Sequence, residues 1–325
     1  MGHMKGRDFI SLADFSTEEL EMIIETAFDL KRKTRRREPH LLLQHKTLGM
    51  IFMQPSTRTR ISFEAAMTQL GGHAQYYSPE TLQLVHQESW ADTAQVMSRY
   101  LDGIMIRNYL IGSYGEGRKV QRWVAENASV PIINGADDEG HPCQIMADLM
   151  TIIERFGPAY KEKRVVMTWA YSDRVKTIGQ VHDMMEASAL LGMNLTLCFP
   201  EGYEPDSKYM THALKVAERT GANLHTSHDL EDAVKGAHVI YVKSYGSLSM
   251  EKEKDLEYRK AFKDKWRIER RHFGKADRNA IFMHALPAAR GIEATDEVYD
   301  GPMSVIFDEA ENRLHAQKAV LSLIM

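Results

Sequence analysis

Cysteine is scarce in this chain, with Cys143 and Cys198 as the full complement. Two cysteines cannot build the disulfide framework of a small secreted domain, and their spacing matches no zinc site, so no metal is expected. No apolar run approaches the roughly 18 residues of a membrane helix. Neither sign of charge dominates: a net charge of −4 offers no basic face for nucleic acid or for an anionic membrane. Gly-X-Gly-X-X-Gly is missing after a first strand, which excludes a dinucleotide-dependent oxidoreductase, and no Walker loop is present. The charged, helix-like N-terminal stretch has no signal-peptide pattern, and there is no internal repeat. These absences lead to the expectation of a cytoplasmic enzyme without a cofactor. One basic run, Lys31 to Arg37, follows Glu18, Glu19, Glu21 and Glu25 and stops at Pro39. It reads as the solvated C-terminal end of an amphipathic helix, where cations complement the helix dipole.

What is present is an alternation of short apolar runs and helical patterns across 325 residues, enough for two ordinary domains. The first series places strands at Thr47–Phe52, His73–Tyr77, Gly103–Arg107 and Val130–Asn134, with helices at 59–70, 89–101, 117–127 and Gln144–Phe156. Gly157-Pro158 and the charged Lys161-Glu162-Lys163 read as a hinge. The second series places strands at Val165–Thr168, Asn194–Cys198, Asn223–Thr226, Val239–Val242, Ala280–His284 and Val305–Phe307, with helices at 175–191, 207–220 and 229–235. A last helix runs from Asn312 to Ile324. The fold class is therefore α/β, with two doubly wound parallel-sheet domains. Tyr245 to Asp277 is long, charged and poorly periodic, and reads as a ligand lid or a peripheral surface helix.

The most informative segment is Phe52-Met53-Gln54-Pro55-Ser56-Thr57-Arg58-Thr59-Arg60. A strand runs through a turn into a helix whose first residues are Ser, Thr and Arg. The open amides and the dipole at a helix start favour an anion, and guanidinium groups add bidentate geometry for phosphate oxygens. Ser56, Thr57, Arg58 and Thr59 are candidates to hold a phosphate. Arg107, at a strand end, points to the same mouth of an α/β sheet. His141, in the loop opening the next helix, can donate a hydrogen bond, and Gln144, one turn on, can bind an amide.

Ser-Thr-Arg-Thr-Arg resembles the carbamoyl phosphate signature of the aspartate/ornithine carbamoyltransferase family. Asp102-Gly103-Ile104-Met105-Ile106-Arg107, His141-Pro142-Cys143-Gln144, His284-Ala285-Leu286-Pro287 and Glu309-Ala310-Glu311-Asn312-Arg313 fit in the same order. The resemblance runs from about residue 7 to the C-terminus. It implies a carbamoyl phosphate-binding domain over 5–155, completed by a returning C-terminal helix over 310–325, and an amine-binding domain over 156–309. It also implies transfer of the carbamoyl group of carbamoyl phosphate to a small amine through a tetrahedral intermediate, without metal or covalent enzyme intermediate. Arg58, Arg107, His141 and Gln144 would be catalytic. Main-chain carbonyls at Ala285 and Leu286 would accept the carbamoyl NH₂, and Arg313 would complete the anion site. Gln83, in Leu82-Gln83-Leu84-Val85-His86-Gln87-Glu88-Ser89, resembles the loop that ornithine carbamoyltransferases insert into a neighbouring subunit's site, which implies a homotrimer with shared sites.

The acceptor is written less plainly. Ornithine enzymes resemble one another in an Asp that pairs with the α-ammonium, followed by Ser-Met-Gly; here Lys243 stands in that place, in Val242-Lys243-Ser244-Tyr245-Gly246. A cation facing the α-ammonium costs roughly 1–4 kcal/mol. Lys-Ser-Tyr-Gly resembles the Lys-Ser-Trp-Gly of the N-acetylornithine and N-succinylornithine carbamoyltransferases, a branch whose second domain carries a trefoil knot. Yet Ala289 and Glu293 replace an Arg and a Lys of that branch, Asp173-Arg174-Val175-Lys176 replaces a prolyl-asparagine segment, and the Gln83 loop is of the ornithine type. The expectation is an ornithine-like or N-acylated ornithine-like acceptor, contacted by Asp137, Lys243 and Arg290. The alternatives are ornithine carbamoyltransferase proper and a non-catalytic carbamoyl phosphate-binding protein.

Overall fold

The structure, a computed structural model, describes residues 4–109 and 113–325. The chain divides into two compact units, Met1–Met150 with Ala310–Met325, and Thr151–Glu309. In the first unit the order is α1 (Thr17–Arg36), β1 (Thr47–Phe52), α2 (Thr57–Gln69), β2 (His73–Tyr77), α3 (Trp90–Met97), β3 (Gly103–Asn108), α4 (Glu116–Asn127), β4 (Ile132–Asp137) and α5 (Pro142–Phe156). The second unit continues with β5 (Arg164–Trp169), α6 (Gly179–Leu191), β6 (Asn194–Cys198), α7 (Ser207–Thr220), β7 (Asn223–Ser227), α8 (Leu230–Ala233), β8 (Val239–Lys243), α9 (Lys252–Tyr258), α10 (Arg270–Phe273), β9 (Ile281–Met283) and α11 (Asp296–Tyr299). The last helix, α12 (Ile306–Ile324), returns the chain to the first unit.

Each unit holds one parallel sheet, ordered β2-β1-β3-β4 and β7-β6-β5-β8-β9. Parallel strands covered on both faces read as unbroken apolar runs, and Leu48–Phe52, Ile104–Ile106 and Val239–Val242 are buried throughout. In the first unit Ile51, Ile104, Ile106 and Ile132 pack with Ala94 and Met97 of α3 and Val124 of α4 into one core. The winding reverses between β1 and β3 in one sheet and between β5 and β8 in the other. Such switch points leave a crevice at the carboxyl ends of the strands, where ligands of α/β sheets bind. Phe52 lies beside Arg107 in the β1–β3 register, and Trp169 beside Lys243 in the β5–β8 register.

Several boundaries differ from the sequence reading for identifiable reasons. Val305–Phe307 is not a strand. Ser304 makes a single bridge to Phe282, and α12 starts at Ile306, with Asp308 and Glu309 in its first turn favouring the helix dipole. The helix expected from 175 starts at Gly179, because the carbonyl of Lys176 accepts from the N–H of Gly246 and the loop before it is held open. Gly157-Pro158 forms a 3₁₀ turn over Gly157–Glu162, and the division between units falls within α5.

The 245–277 segment is largely exposed, carries the short helices α9 and α10, and is anchored to its unit by a few buried side chains. Arg259 and Trp266 are 0% and 1% exposed. The Arg259 guanidinium meets Asp255 at 2.6 Å and donates to the carbonyls of Ser172, Arg174 and Tyr245. Asp255 also accepts from Tyr203 Oη at 2.6 Å and from the Ser247 N–H at 3.2 Å. One buried ion pair thus ties the loop after β5 to the loop after β8. Removing one partner of such a pair strands the other charge, typically at a cost of about 3–5 kcal/mol. Arg259→Ala is expected to lower the unfolding free energy measured in urea by that amount; a change below about 1 kcal/mol would mean that the pair does not organise these loops.

Candidate active site

In the first unit, Ser56 ends the turn after β1 in an extended conformation, and its hydroxyl caps α2 by accepting the N–H of Thr59 at 3.3 Å. The exposed Thr57 and half-buried Arg58 sit in the first helical turn, where backbone donors have no intrahelical partner. Arg60, one step on, faces away: it pairs with Glu64 at 3.0 Å and stacks on Tyr76 at 4.1 Å. Arg107 closes β3 with its guanidinium bonded to the Gly135 carbonyl at 3.2 Å and to Tyr109 Oη at 3.3 Å. The β3–β4 register shifts between Ile106 and Arg107, opposite Gly135. A Cβ at Gly135 would meet Met105 Sδ at 2.2 Å, so a larger residue there would have to displace the Met105 side chain.

Arg313, on α12, is 2% exposed and lies at the centre of the constellation. Its Nη2 donates to Thr59 Oγ1 at 3.1 Å and its Nη1 to Gln144 Oε1 at 2.5 Å; Gln144 Nε2 in turn donates to Asp148 at 2.7 Å. Gln144 therefore orients Arg313, a role that sequence reading missed. Burial, together with repulsion from Arg107 and Arg58, pulls the Arg313 pKa down to about 10, against the pull of Cys143 and Asp148. Burial likewise lowers that of Arg107. The Nε atoms of Arg107 and Arg313 are both buried with no hydrogen-bond partner among the described residues. Three guanidinium groups close enough to repel, two with an unused buried N–H, suit a multiply charged anion with several acceptor oxygens.

His141 lies at the start of α5, 9% exposed, with its carbonyl accepting from the N–H of Gln144 at 2.9 Å. The loop before it is built on Asp137, and here the structure corrects the sequence reading. Asp137 is 1% exposed, and its carboxylate is taken up by Arg118, by Asn134 at 3.0 Å and by the N–H groups of Glu139 and Gly140 at 2.9 and 2.5 Å. It shapes the 137–140 turn and has no face left for an amine. Gln83 lies on an exposed 3₁₀ turn, Gln83–His86.

In the second unit, Lys243 ends β8 half-buried, and Ala285 and Leu286 follow β9. The Leu286–Pro287 peptide is cis, and Leu286 has φ 52°, an unusual left-handed conformation for a leucine. His284 bridges the backbone and an acid: its Nδ1 accepts the Leu286 N–H at 2.9 Å and its Nε2 meets Glu293 at 2.8 Å. Lys176 completes the group on Glu293. Burial would raise the Glu293 carboxyl, but His284 and Lys176 outweigh it and bring it down to about 2. Burial lowers the His284 pKa, with Lys176 and Lys243 adding to the effect and Glu293 opposing it. Arg290, expected at the acceptor, instead pairs on the surface with Asp300 at 2.8 Å and Asp296 at 3.3 Å. A cleft of about 710 Å³ near Lys163, His238 and Arg278 opens at the opposite, amino ends of these strands and contains none of the candidate residues.

Among the described residues, no group of three or more His, Cys, Asp or Glu side chains could hold a metal ion, and no helix is long and apolar enough to cross a membrane.

The anion site generates two expectations. Arg58→Ala should weaken inorganic phosphate binding roughly a hundredfold, on the ~2–5 kcal/mol scale of truncating one partner of a desolvated charge pair, without unfolding the chain. Phosphate affinity should also fall as pH rises past about 10, where Arg313 loses its proton while phosphate remains anionic. Calorimetric titration checks both, and wild-type affinity in Arg58→Ala would remove the segment from the site.

Comparisons with known proteins identify the family. Residues 7–154 match the profile of the aspartate/ornithine carbamoyltransferase carbamoyl-P binding domain, and residues 167–324 that of the Asp/Orn binding domain. The chain is 45% identical over 322 residues to ornithine carbamoyltransferase of Pyrococcus abyssi, covering 99% of this chain and 96% of that one. It is also 45% identical over 330 residues to ornithine carbamoyltransferase of Symbiobacterium thermophilum, with both chains fully covered. Among solved structures, ornithine carbamoyltransferase from Pyrococcus furiosus superposes with a TM-score of 0.88 at 44% identity, covering 99% of this chain and 98% of that one. Acetylornithine transcarbamylase complexed with acetylcitrulline superposes with a TM-score of 0.91 at 32% identity, covering 98% and 99%. The chain is a carbamoyltransferase and belongs to the aspartate/ornithine carbamoyltransferase family.

Proposed function

We propose that the enzyme carbamoylates the side-chain amine of an ornithine-like amino acid whose α-nitrogen carries no positive charge, as in an N-acylated ornithine. The observation that carries this reading is Lys243. It ends β8 at the switch point of the second sheet, and its charge is felt by His284. A carboxylate there would hold an α-ammonium, whereas a lysine favours the carboxylate or acyl oxygen of the acceptor and repels a free ammonium. Glu293 supplies no substitute anion, because His284 and Lys176 already occupy it.

In this reading the first unit takes the phosphate on Ser56, Thr57, Arg58, Thr59, Arg107 and Arg313. His141 donates to the carbamoyl oxygen, and Ala285 and Leu286 accept from the carbamoyl NH₂. The neutral amine attacks the carbonyl carbon, the oxyanion is stabilised by preorganised donors, and the C–O bond to phosphate breaks. Phosphate leaves with its charge held by guanidinium groups, and the amine proton leaves with it or passes to solvent. Gln83, on its exposed turn beside the exposed Val85, would serve the site of a neighbouring copy in a homotrimer.

A second reading, free ornithine as the acceptor, is favoured by the name that the 45%-identical relatives carry. Ureido-product formation from carbamoyl phosphate with ornithine, N-acetylornithine, N-succinylornithine, putrescine and diaminopropionate separates the two. The proposal expects an N-acylated ornithine to exceed free ornithine in kcat/KM by at least about tenfold, the equivalent of ~1.4 kcal/mol. Preference for free ornithine would mean that the charge of Lys243 does not face the α-nitrogen of the acceptor. Phosphate binding with no product from any amine would support the non-catalytic binding protein.

A further inference from the structure

The group around Glu293 does something that its expected place near the acceptor did not suggest. Leu286 is held at φ 52°, a conformation that a leucine adopts only when its surroundings impose it. The imposing contact is the hydrogen bond from the Leu286 N–H to His284 Nδ1 at 2.9 Å. A trans peptide is planar, so fixing that N–H also fixes the Ala285 carbonyl, which points the opposite way. To accept, Nδ1 must carry a lone pair, so the ring proton sits on Nε2 and is donated to Glu293 Oε2 at 2.8 Å. The other carboxylate oxygen accepts from Lys176 Nζ and from the Ala289 N–H at 3.2 Å. His284 is further fixed by its own N–H, which donates to Glu309 Oε2 at 2.9 Å.

We infer that Glu293 and His284 are positioning residues for carbamoyl transfer: Glu293 sets the tautomer of His284, and His284 clamps the Leu286 N–H so that the Ala285 carbonyl is aimed at the carbamoyl NH₂. This rests on the proposed role of the Ala285 and Leu286 carbonyls. Neither side chain touches a reacting atom. Each acts through one backbone peptide, and a carbonyl misplaced by about 1 Å can cost a hundredfold in rate.

The arrangement makes an isosteric substitution informative. In Glu293→Gln the oxygen of the new amide remains with the two donors, Lys176 and Ala289 N–H, and its NH₂ then faces Nε2. The ring proton moves to Nδ1, opposite the Leu286 N–H, and the clamp is lost. Glu293→Gln is expected to lower kcat at least about tenfold with the affinity for inorganic phosphate, which does not reach Ala285, unchanged. The ¹⁵N spectrum of His284 should change from a protonated Nε2 to a protonated Nδ1. Adding His284→Asn, whose Oδ1 lies where Nδ1 did, should recover part of the lost kcat, while adding His284→Gln should recover none. Rates are expressed per phosphate-binding site, so that misfolded protein does not count.

An unchanged tautomer in Glu293→Gln, or equal rates for the Asn and Gln double variants, would overturn the inference. If the His284 variants do not fold, the tautomer and kcat of Glu293→Gln decide it alone. Absence of carbamoyl transfer by the wild-type protein would be a failure of the proposed function. The ¹⁵N spectrum of His284 in the wild-type protein and in Glu293→Gln would still report whether the clamp exists.

Discussion

Arg313 is buried, and Arg107 and Arg58 lie close enough to repel its charge. Its fork donates to Thr59 and Gln144, two neutral acceptors, and Gln144 in turn donates to Asp148. An unsatisfied buried donor costs about 1–3 kcal/mol and more when it is charged, and among the described residues the Nε of Arg107 and that of Arg313 are both of this kind. A fold keeps such a cluster when a ligand completes it. In the proposed reading a phosphate dianion would supply the missing charge and the missing acceptors together. The rest of the unit serves this placement: the β1–α2 turn presents Arg58, the Gly135 shift seats Arg107, and α12 returns from the second unit to deliver Arg313.

The second unit solves a different problem, the positioning of main chain. Arg259 and Asp255 cross-tie the loops after β5 and β8, while Lys176, Glu293 and His284 fix the backbone after β9. Both are buried charge groups that satisfy each other and are already complete. Such groups are costly to break and fix one loop conformation. The guanidinium cluster of the first unit thus leaves an open electrostatic demand, whereas these two groups of the second unit are closed on themselves. That division suits a reaction in which one substrate is held by charge and then acted on by groups that must already be in place.

The sequence made the fold legible because parallel strands are apolar runs of five or six residues and their helices have clear periods. The residues proposed to hold phosphate stood out in the sequence because Ser56 to Thr59, Arg107 and Arg313 lie in local motifs tied to strand and helix ends. What could not be read were partnerships between residues far apart in the chain. Asp137 looked available because nothing local announced Arg118 as its partner. Arg290 looked like a substrate contact until Asp300 was found beside it. Glu293 read as a lost cation of a related branch, whereas the structure makes it the acid that orients His284. The strand expected at Val305–Phe307 failed because β-branched residues there were outweighed by the acidic first turn of α12. In each case a charge with no visible local partner invited a functional reading, and tertiary pairing decided it.

The most direct test of the central claim, that an anion completes the buried guanidinium cluster, is a crystal structure with a phosphonate analogue of carbamoyl phosphate. The account predicts phosphonate oxygens within hydrogen-bonding distance of Nε of both Arg107 and Arg313, at the amino end of α2. A phosphonate seated elsewhere, with both Nε atoms still lacking a partner, would contradict it.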